Sequence, residues 1–314
     1  MQILTSTKHS YQLINDWGIP SEKHSFKESA AVAVDTEDNV WVFNIPTKQL
    51  LIFESSGKLL RIWPHKYENI HGIDFDSSGN VYLVNRNVHQ VLKYTIDGDL
   101  IMSLGESGSP SETGYSLEIG RDTNWQNPVR NAGGPFNVPS GVRIGENGDI
   151  YISDGYANCQ IHRFSRHGDL IHSWGSPGKS KGGEFHLIHG LYIDSRNRVL
   201  ACDRMNNRIQ IFDLTGEFTG IYSGLFMPSK IHETPDGDFV VTEHAGRISI
   251  IDKTGKILAK WGNADGTVNT EGSGIFRKPH GCAVDSIGNI YIGNVTPAGA
   301  VPGSGERIIK MVKI

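Results

Sequence analysis

The sequence predicts an all-β protein, a six-bladed β-propeller, and three observations lead to this prediction. Apolar and polar residues alternate along many short segments, as they do in half-buried β-strands. Glycine is abundant, with 37 residues, which suits strands joined by tight turns. One strand–turn–strand–loop–strand unit recurs six times at irregular spacings of about 40 to 70 residues, which indicates a closed array of blades. The six copies begin at Ala30, His71, Ser140, His189, Ser229 and His280.

The copy that begins at His189 shows the unit most clearly. Its first strand is expected at residues 191–194, and a turn at 195–197 leads into a second strand at 199–202. A loop with Asp203 and Arg204 precedes a third strand at 208–212. We expect one domain over residues 1–314. Its blades are expected at about 30–65, 71–105, 139–175, 189–224, 228–262 and 280–314.

The N-terminal segment 11–18, YQLINDWG, resembles the segments that end other blades, such as DLIHSWG at 169–175. The last blade has the opposite deficit, because it stops after its third strand. We therefore expect the N-terminal strand to complete the last blade and close the ring, with Gln12–Trp17 paired to Arg307–Lys313. This pairing removes two sheet edges at once.

Charge, hydropathy and cysteine content exclude several classes of partner. A net charge of −4 and a pI near 6.3 give no reason to expect nucleic acid or an anionic membrane. The N-terminus has no continuous apolar stretch, and no long uncharged apolar run occurs elsewhere. The three cysteines lack CxxC spacing, and Cys202 and Cys282, at strand positions, are expected to be buried thiols. We expect a cytoplasmic protein. Motifs for a nucleophilic serine or for phosphoryl transfer are also missing.

Histidine opens alternate blades, at His71, His189 and His280. Alternate blades of a six-membered ring are related by about 120°, so three imidazoles at one channel mouth would converge on the axis. Three histidines are a standard ligand set for a catalytic zinc, although nickel, iron or manganese fit the same ligands. The alternative interpretation is that imidazole merely suits this strand entrance.

The loop between the second and third strands holds a second set of candidate residues. Arginine there favours a carboxylate or another planar anion, and tyrosine is a candidate for acid–base work. Alternatively, the arginines bridge neighbouring blades through acidic partners such as Asp203. We expect catalytic roles for Tyr156, Arg204 and Arg86, and substrate contacts from Arg86, Arg204 and His244.

Residues 106–138 interrupt the repeat and are too long for a simple connection. They are either a flexible surface insertion or a lid over the channel mouth, and aromatic residues such as Trp125 favour the lid. Shorter insertions at 176–185 and 263–276 leave the same point of the repeat, so all three are expected on the face that carries the histidines.

The repeats resemble NHL repeats, and several segments resemble peptidyl-α-hydroxyglycine α-amidating lyase. The resemblance covers roughly residues 30 to 295, and its most specific part is YISDGYAN at 151–158. It implies that His71, His189 and His280 hold a catalytic zinc. It also implies that Tyr156 is the catalytic tyrosine and that Arg204 is one of two active-site arginines.

Departures from that family concern the substrate and a second ion. The family's other arginine falls at Ile45 here, and Arg86 is expected to take over its contact with a substrate carboxylate. The family's structural calcium uses an aspartate where this chain has Gly281, so calcium is not expected there. The family's disulfides have no counterpart, which agrees with an intracellular setting.

Three function classes remain from the sequence. The first is a zinc lyase that cleaves the C–N bond of a small N-acyl or N-carbamoyl hemiaminal, releasing an amide and an aldehyde or 2-oxo acid. The second is a zinc hydrolase acting on a lactone, ester or amide, and the third is a non-catalytic NHL interaction module. For either enzyme we expect a small-molecule substrate that carries a carboxylate.

Overall fold

The computed structural model describes residues 2–18, 28–115, 129–262, 276–295 and 308–314. These residues form β-strands joined by turns and two short 3-10 helices, and the arrangement is the predicted six-bladed β-propeller. Two compact units can be separated: unit 1 is Met1–Tyr67 with Ser229–Ile314, and unit 2 is Glu68–Pro228. Within the described ranges, no helix has the length and apolar character needed to span a membrane.

Unit 2 contains three antiparallel four-stranded sheets, here called blades 2, 3 and 4. The strands of blade 2 are Ile70–Phe75, Val81–Asn85, Gln90–Tyr94 and Leu100–Leu104. The strands of blade 3 are Gly141–Ile144, Ile150–Asp154, Gln160–Phe164 and Leu170–Trp174. The strands of blade 4 are Ile188–Ile193, Arg198–Asp203, Arg208–Asp213 and Phe218–Tyr222.

Unit 1 contains the sheets called blades 1, 5 and 6. The strands of blade 1 are Val32–Val34, Val40–Asn44, Gln49–Phe53 and Leu59–Lys66. The strands of blade 5 are Pro228–Glu233, Phe239–Glu243, Arg247–Ile251 and Ile257–Gly262. Blade 6 has the chain-order strands Gln2–Thr5, Ser10–Ile14, Pro279–Val284, Ile290–Asn294 and Ile309–Lys313.

Blade 6 is completed by the N-terminal strand, as predicted. Ser10–Ile14 pairs antiparallel with Ile309–Lys313, and Tyr11 lies opposite Lys313. The predicted bounds Gln12–Trp17 need correction, because the N-terminal strand starts earlier and ends at Ile14. Arg307, the predicted start of the partner strand, lies outside the described residues. Asn and Asp follow Ile14 and favour a turn. The outermost strand, Gln2–Thr5, was not predicted.

The turn between the first two strands explains the Asp–x–x–x–Asn pattern that recurs in blades 1, 2 and 6, beginning at Asp35, Asp76 and Asp285. In blade 1, one carboxylate oxygen of Asp35 accepts the backbone N–H groups of Glu37 and Asn39, at 3.0 and 2.9 Å. Asp76 in blade 2 makes the equivalent bonds to Ser78 and Asn80. An aspartate that closes its own turn in this way is a local signal, which is why the repeat could be recognised in the sequence.

The insertions are described in part. Residues 116–128, with Trp125, and residues 263–275 lie outside the described ranges. Within residues 176–185, Ser176–Pro177 and Glu184–Phe185 form a small parallel pair, and buried Phe185 packs on Phe212 of blade 4. The expectation that all three insertions share one face therefore stays a prediction.

Candidate metal centre

A backbone irregularity marks each of the three predicted histidines. In blades 2 and 4 the pairing of the first two strands shifts between Ile70 and Gly72 and between Ile188 and Gly190, so the shift falls on the histidine itself. The same shift occurs at His280 in blade 6. In blades 1 and 3 the pairs of the first two strands begin after the equivalent residue, at Val32 and Gly141, and show no shift. A bulge of this kind changes the direction of a side chain, and such bulges are frequent beside active sites.

A backbone carbonyl fixes the ring of His71. Its Nδ1 lies 2.6 Å from the carbonyl oxygen of Ser140, the residue that opens blade 3. A carbonyl can only accept, so Nδ1 carries a hydrogen and the neutral ring presents its lone pair at Nε2. His280 makes the equivalent contact, 3.1 Å from Nδ1 to the carbonyl oxygen of Ala30 in blade 1. Histidines that bind metal through one nitrogen are typically oriented by such a bond at the other nitrogen.

The donor set fits a metal ion. His71 and His189 in unit 2 and His280 in unit 1 are all buried, each in the first strand of its blade. In unit 2 the rings of His71 and His189 are 4.8 Å apart between centroids. Three imidazoles without a carboxylate suit zinc and other divalent transition metals better than calcium or magnesium.

The hydroxyl of Tyr156 lies within hydrogen-bond distance of both His71 and His189. Its hydroxyl oxygen lies 3.0 Å from Nε2 of His71 and 2.8 Å from Nε2 of His189. A phenol has one proton, so it can donate to only one of these two nitrogens. The hydroxyl therefore lies where a proton can be exchanged beside two predicted metal-binding atoms. Its ring is half-buried.

Gly155 brings Tyr156 to this position, because the backbone here runs against the first strand of blade 4. A Cβ at residue 155 would lie 2.0 Å from the carbonyl oxygen of Ile188, the residue before His189. The separation is far below van der Waals contact, and the obstacle is backbone rather than a movable side chain. Glycine is therefore required for steric reasons immediately before the tyrosine.

We expect Gly155→Ala to destabilise the protein by about 1–3 kcal/mol or more, the usual cost of adding atoms to a packed site. Gly134→Ala is the matched control, since a Cβ at this exposed residue meets nothing within 4 Å. It should change stability by less than about 0.5 kcal/mol. Urea unfolding of both variants measures the difference, and equal stability would contradict the close approach of residue 155 to blade 4.

Two arginines surround the ring of Tyr156. The guanidinium carbon of Arg86 lies 4.6 Å from the ring centroid, a cation–π contact. Arg204 is fully buried and hydrogen bonds to Tyr156. Burial lowers the pKa of Arg204 to about 10, with Tyr156 opposing the shift and Arg86 adding to it. Arg204 therefore stays charged at neutral pH, and the surroundings of the phenol are electropositive.

The two arginines share a local structure that explains their position. Each begins a 3-10 turn directly after the second strand of its blade, Arg86–Val88 in blade 2 and Arg204–Asn206 in blade 4. Each turn ends in a left-handed residue, His89 or Asn207, which reverses the chain into the third strand.

The suggestion that Arg204 pairs with Asp203 does not describe the structure. Asp203 pairs with Arg208, 2.8 Å from carboxylate oxygen to Nε, and also accepts the backbone N–H of His186. Burial raises the pKa of Asp203, and these bonds oppose the shift. This carboxylate anchors the chain leading into His189.

His244 lies in unit 1, beside one of the histidines. Its ring is buried and meets the ring of His280 edge to face, with centroids 5.8 Å apart. A contact with substrate at this residue stays a prediction. Two residues beside the site were not singled out as functional from the sequence. Ser140 contacts His71 through its carbonyl oxygen, and Thr113 hydrogen bonds to Ala157, the residue after Tyr156.

Comparison with known proteins connects this geometry to a repeat family. Residues 136–164, which include Tyr156, match the NHL repeat model. Human NHL repeat-containing protein 3 is 31% identical over 222 residues, which cover 66% of this chain and 58% of that protein. The resemblance inferred from the sequence is therefore confirmed.

Similarity to amidating lyases is also confirmed. Peptidyl-alpha-hydroxyglycine alpha-amidating lyase 1 of Drosophila melanogaster is 26% identical over 281 residues, which cover 79% of this chain and 47% of that protein. The chain thus spans about half the length of these relatives. The solved structure of Staphylococcus aureus virginiamycin B lyase matches with a TM-score of 0.60 and 14% identity, covering 97% of this chain and 99% of that one. That likeness supports the propeller fold.

Proposed function

We propose that the protein is a metal-dependent lyase that cleaves the C–N bond of a small N-acyl or N-carbamoyl hemiaminal bearing a carboxylate. One observation carries the proposal: the hydroxyl of Tyr156 lies within hydrogen-bond distance of Nε2 of both His71 and His189. An acid–base group is thus placed against two predicted metal ligands, with two guanidinium groups beside it. The similarity to amidating lyases supports the reaction class.

His71, His189 and His280 would hold the metal, which when bound supplies a Lewis acid to the substrate oxygen. We favour zinc, because it is the usual partner of three histidines with an open coordination position. The fixed Nδ1 contacts of His71 and His280 orient their rings before the ion arrives. A preorganised ligand set loses less conformational entropy on binding.

Tyr156 moves the proton in this scheme. As a phenolate, its oxygen takes the proton of the substrate hydroxyl. The O–H electron pair then forms the carbonyl bond, the C–N bond breaks with its electron pair on nitrogen, and Tyr156 returns the proton to that nitrogen. The products are an amide or urea and an aldehyde acid, with atoms and charge balanced and no water consumed.

Arg86 and Arg204 would bind the substrate carboxylate and hold the reacting carbon near Tyr156. The guanidinium of Arg86 lies over the ring of Tyr156, and Arg204 hydrogen bonds to the same tyrosine. A carboxylate bound between the two arginines would be fixed in position and orientation. Arg86 is more exposed than Arg204, and the incoming anion would contact it first.

Arg86→Ala is expected to raise KM roughly 10- to 100-fold with a smaller effect on kcat, because hydrogen bonds to a charged group contribute about 1.5–3 kcal/mol. Steady-state kinetics of the variant measures this. Arg166→Ala removes an exposed arginine of blade 3 and is the control for net charge. Unchanged constants in Arg86→Ala would remove Arg86 from the substrate site.

The function itself is tested on purified protein in two steps. Metal analysis should give one transition-metal ion per chain, and incubation with an N-acyl-α-hydroxyglycine should release glyoxylate. Turnover in ¹⁸O-labelled water separates the two enzyme classes, because a hydrolase incorporates solvent oxygen into its product and this lyase does not, if products are trapped before the aldehyde exchanges. A protein without stoichiometric metal and without turnover would be an NHL interaction module instead. A cytoplasmic location is part of the proposal.

A further inference from the structure

The loop that carries Tyr156, residues 154–158, is held by the insertion between blades 2 and 3. The described parts of that insertion, residues 106–115 and 129–138, contact this loop through buried polar groups in unit 2. Two of these contacts recur in blade 4, where the backbone N–H of Arg204 donates to the carbonyl oxygen of Leu187 and that of His186 donates to Asp203. The contact made by Thr113 comes from the insertion itself. The contacts of the insertion hold Tyr156, the residue that transfers the proton in the proposed reaction.

Thr113 makes the most direct contact. Its side chain is fully buried, and its hydroxyl donates to the carbonyl oxygen of Ala157, the residue after Tyr156, at 2.6 Å. The hydroxyl oxygen of Thr113 also accepts a hydrogen bond from the side-chain amide of Asn137 at 2.9 Å. The hydroxyl of Thr113 is therefore used both as donor and as acceptor, which fixes its rotation.

Asp154 and Asn158 extend the attachment to both ends of the loop. The backbone N–H of Asn137 points at both oxygens of the buried Asp154 carboxylate, at 3.1 and 2.9 Å. Asn158 donates to Asp154 at 2.8 Å and exchanges two 3.1 Å bonds with the backbone of Gly133. The insertion thus holds the loop two residues before Tyr156 and two residues after it.

The backbone of Tyr156 is attached as well. Its N–H donates to the carbonyl oxygen of Val138 at 3.4 Å, and the N–H of Val138 donates to Nδ1 of His89 at 3.0 Å. His89 is buried in blade 2, and burial lowers its pKa, so the neutral ring can accept this bond. The attachment therefore runs from blade 2 through the insertion to Tyr156.

From these contacts we infer that Thr113 is a positioning residue for Tyr156. Gly155 is packed against the carbonyl of Ile188 on one side, and Thr113 holds Ala157 on the other. Together they determine where the phenol hydroxyl lies relative to Nε2 of His71 and His189. A displacement of about 1 Å can cost roughly 100-fold in rate. The kinetic part of this inference rests on the proposed function, whereas the structural part does not.

Thr113→Val keeps the shape of the side chain and removes the hydroxyl, leaving the buried carbonyl of Ala157 without that donor. We expect amide hydrogen exchange in residues 155–159, measured by mass spectrometry, to accelerate at least about 10-fold, because these amides are protected by the closed loop. Thr113→Ser should restore wild-type exchange. The matched control is Thr219→Val in blade 4, where the hydroxyl also donates to a backbone carbonyl, that of Ile211 at 3.2 Å.

A crystal structure of Thr113→Val should show a longer distance from the hydroxyl of Tyr156 to Nε2 of His71 than the 3.0 Å of the wild-type chain. In the enzyme, kcat should fall about 10-fold or more, with KM and metal content unchanged and with rescue by Thr113→Ser. Should Thr113→Val fail to fold, Thr113→Ala takes its place in all three measurements.

The two proposals fail separately. A wild-type protein without lyase turnover refutes the proposed function and leaves the exchange and crystallographic tests intact. Unchanged exchange together with an unmoved Tyr156 in Thr113→Val overturns the positioning role, whatever the reaction is. A moved Tyr156 with unchanged kcat overturns it as well, since the position would then have no consequence for catalysis.

Discussion

His189→Ala is expected to reduce metal affinity by more than about 100-fold and to abolish turnover. Residues that only orient a metal ligand typically contribute 10- to 100-fold in affinity, and His189 is expected to be a ligand itself. It is fully buried, and its Nε2 lies at the hydroxyl of Tyr156. The proposed reaction would lose its Lewis acid together with the ligand, so the residual activity should be at background.

The fold should survive this substitution. Blade 4 is held by its own strand pairs and by a core that includes Leu191 and Phe212, none of which needs an ion. We expect an unchanged circular-dichroism spectrum and a stability loss no larger than that of a buried large-to-small substitution, about 2–5 kcal/mol. The measurements are metal content after dialysis and isothermal titration with zinc.

His167→Ala is the matched control, because His167 is an exposed histidine in a turn of blade 3. It should bind metal and turn over substrate like the wild-type protein. One equivalent of tightly held metal in His189→Ala would remove this residue from the ligand set and favour the interpretation that imidazole only suits the strand entrance.

The repeat pattern was sufficient to predict the sheets and the three histidines. Both depend on local signals: alternation along strands, an aspartate that closes its own turn, and the recurrence of His71 and His189 at one position of the unit. The completed blade 6 followed from counting strands. The predicted strand end was wrong because polar residues after Ile14 turn the chain, a preference that alternation alone does not weigh.

The environment of Tyr156 could not be predicted in the same way. Thr113 and Ala157 are 44 residues apart, and Thr113 belongs to an insertion that is longer than those at 176–185 and 263–276. Such a contact leaves no periodic trace. The bulges at the histidines are also silent in the sequence, because a shift of register depends on the partner strand. The segment YISDGYAN at residues 151–158 contains Asp154 and Asn158, two polar residues that are buried in the structure.

Tyr156→Phe is expected to lower kcat by about 10²- to 10⁴-fold, the usual contribution of a positioned acid–base group. Phenylalanine keeps the ring, and with it the face-on contact of Arg86 at 4.6 Å. The only atom removed is the oxygen that lies 3.0 and 2.8 Å from the two histidine nitrogens. KM should therefore change little, and the variant should retain one equivalent of metal.

Tyr192→Phe is the matched control for this experiment. Its ring carries the same kind of contact, with the guanidinium carbon of Arg143 at 4.3 Å from the centroid, but it lies in the first strand of blade 4, outside the metal centre. Loss of a hydroxyl beside an arginine should leave its kcat within about twofold of wild type, a free-energy change below about 0.5 kcal/mol.

If Tyr156→Phe keeps full kcat, proton transfer must run through another group, and the hydroxyl between His71 and His189 would then have a role in binding alone. If Tyr156→Phe loses metal as well as activity, the phenol oxygen stabilises the ion, and the assignment of Tyr156 as an acid–base group fails. Only a low kcat with full metal content and an unchanged KM fits a tyrosine that transfers the proton.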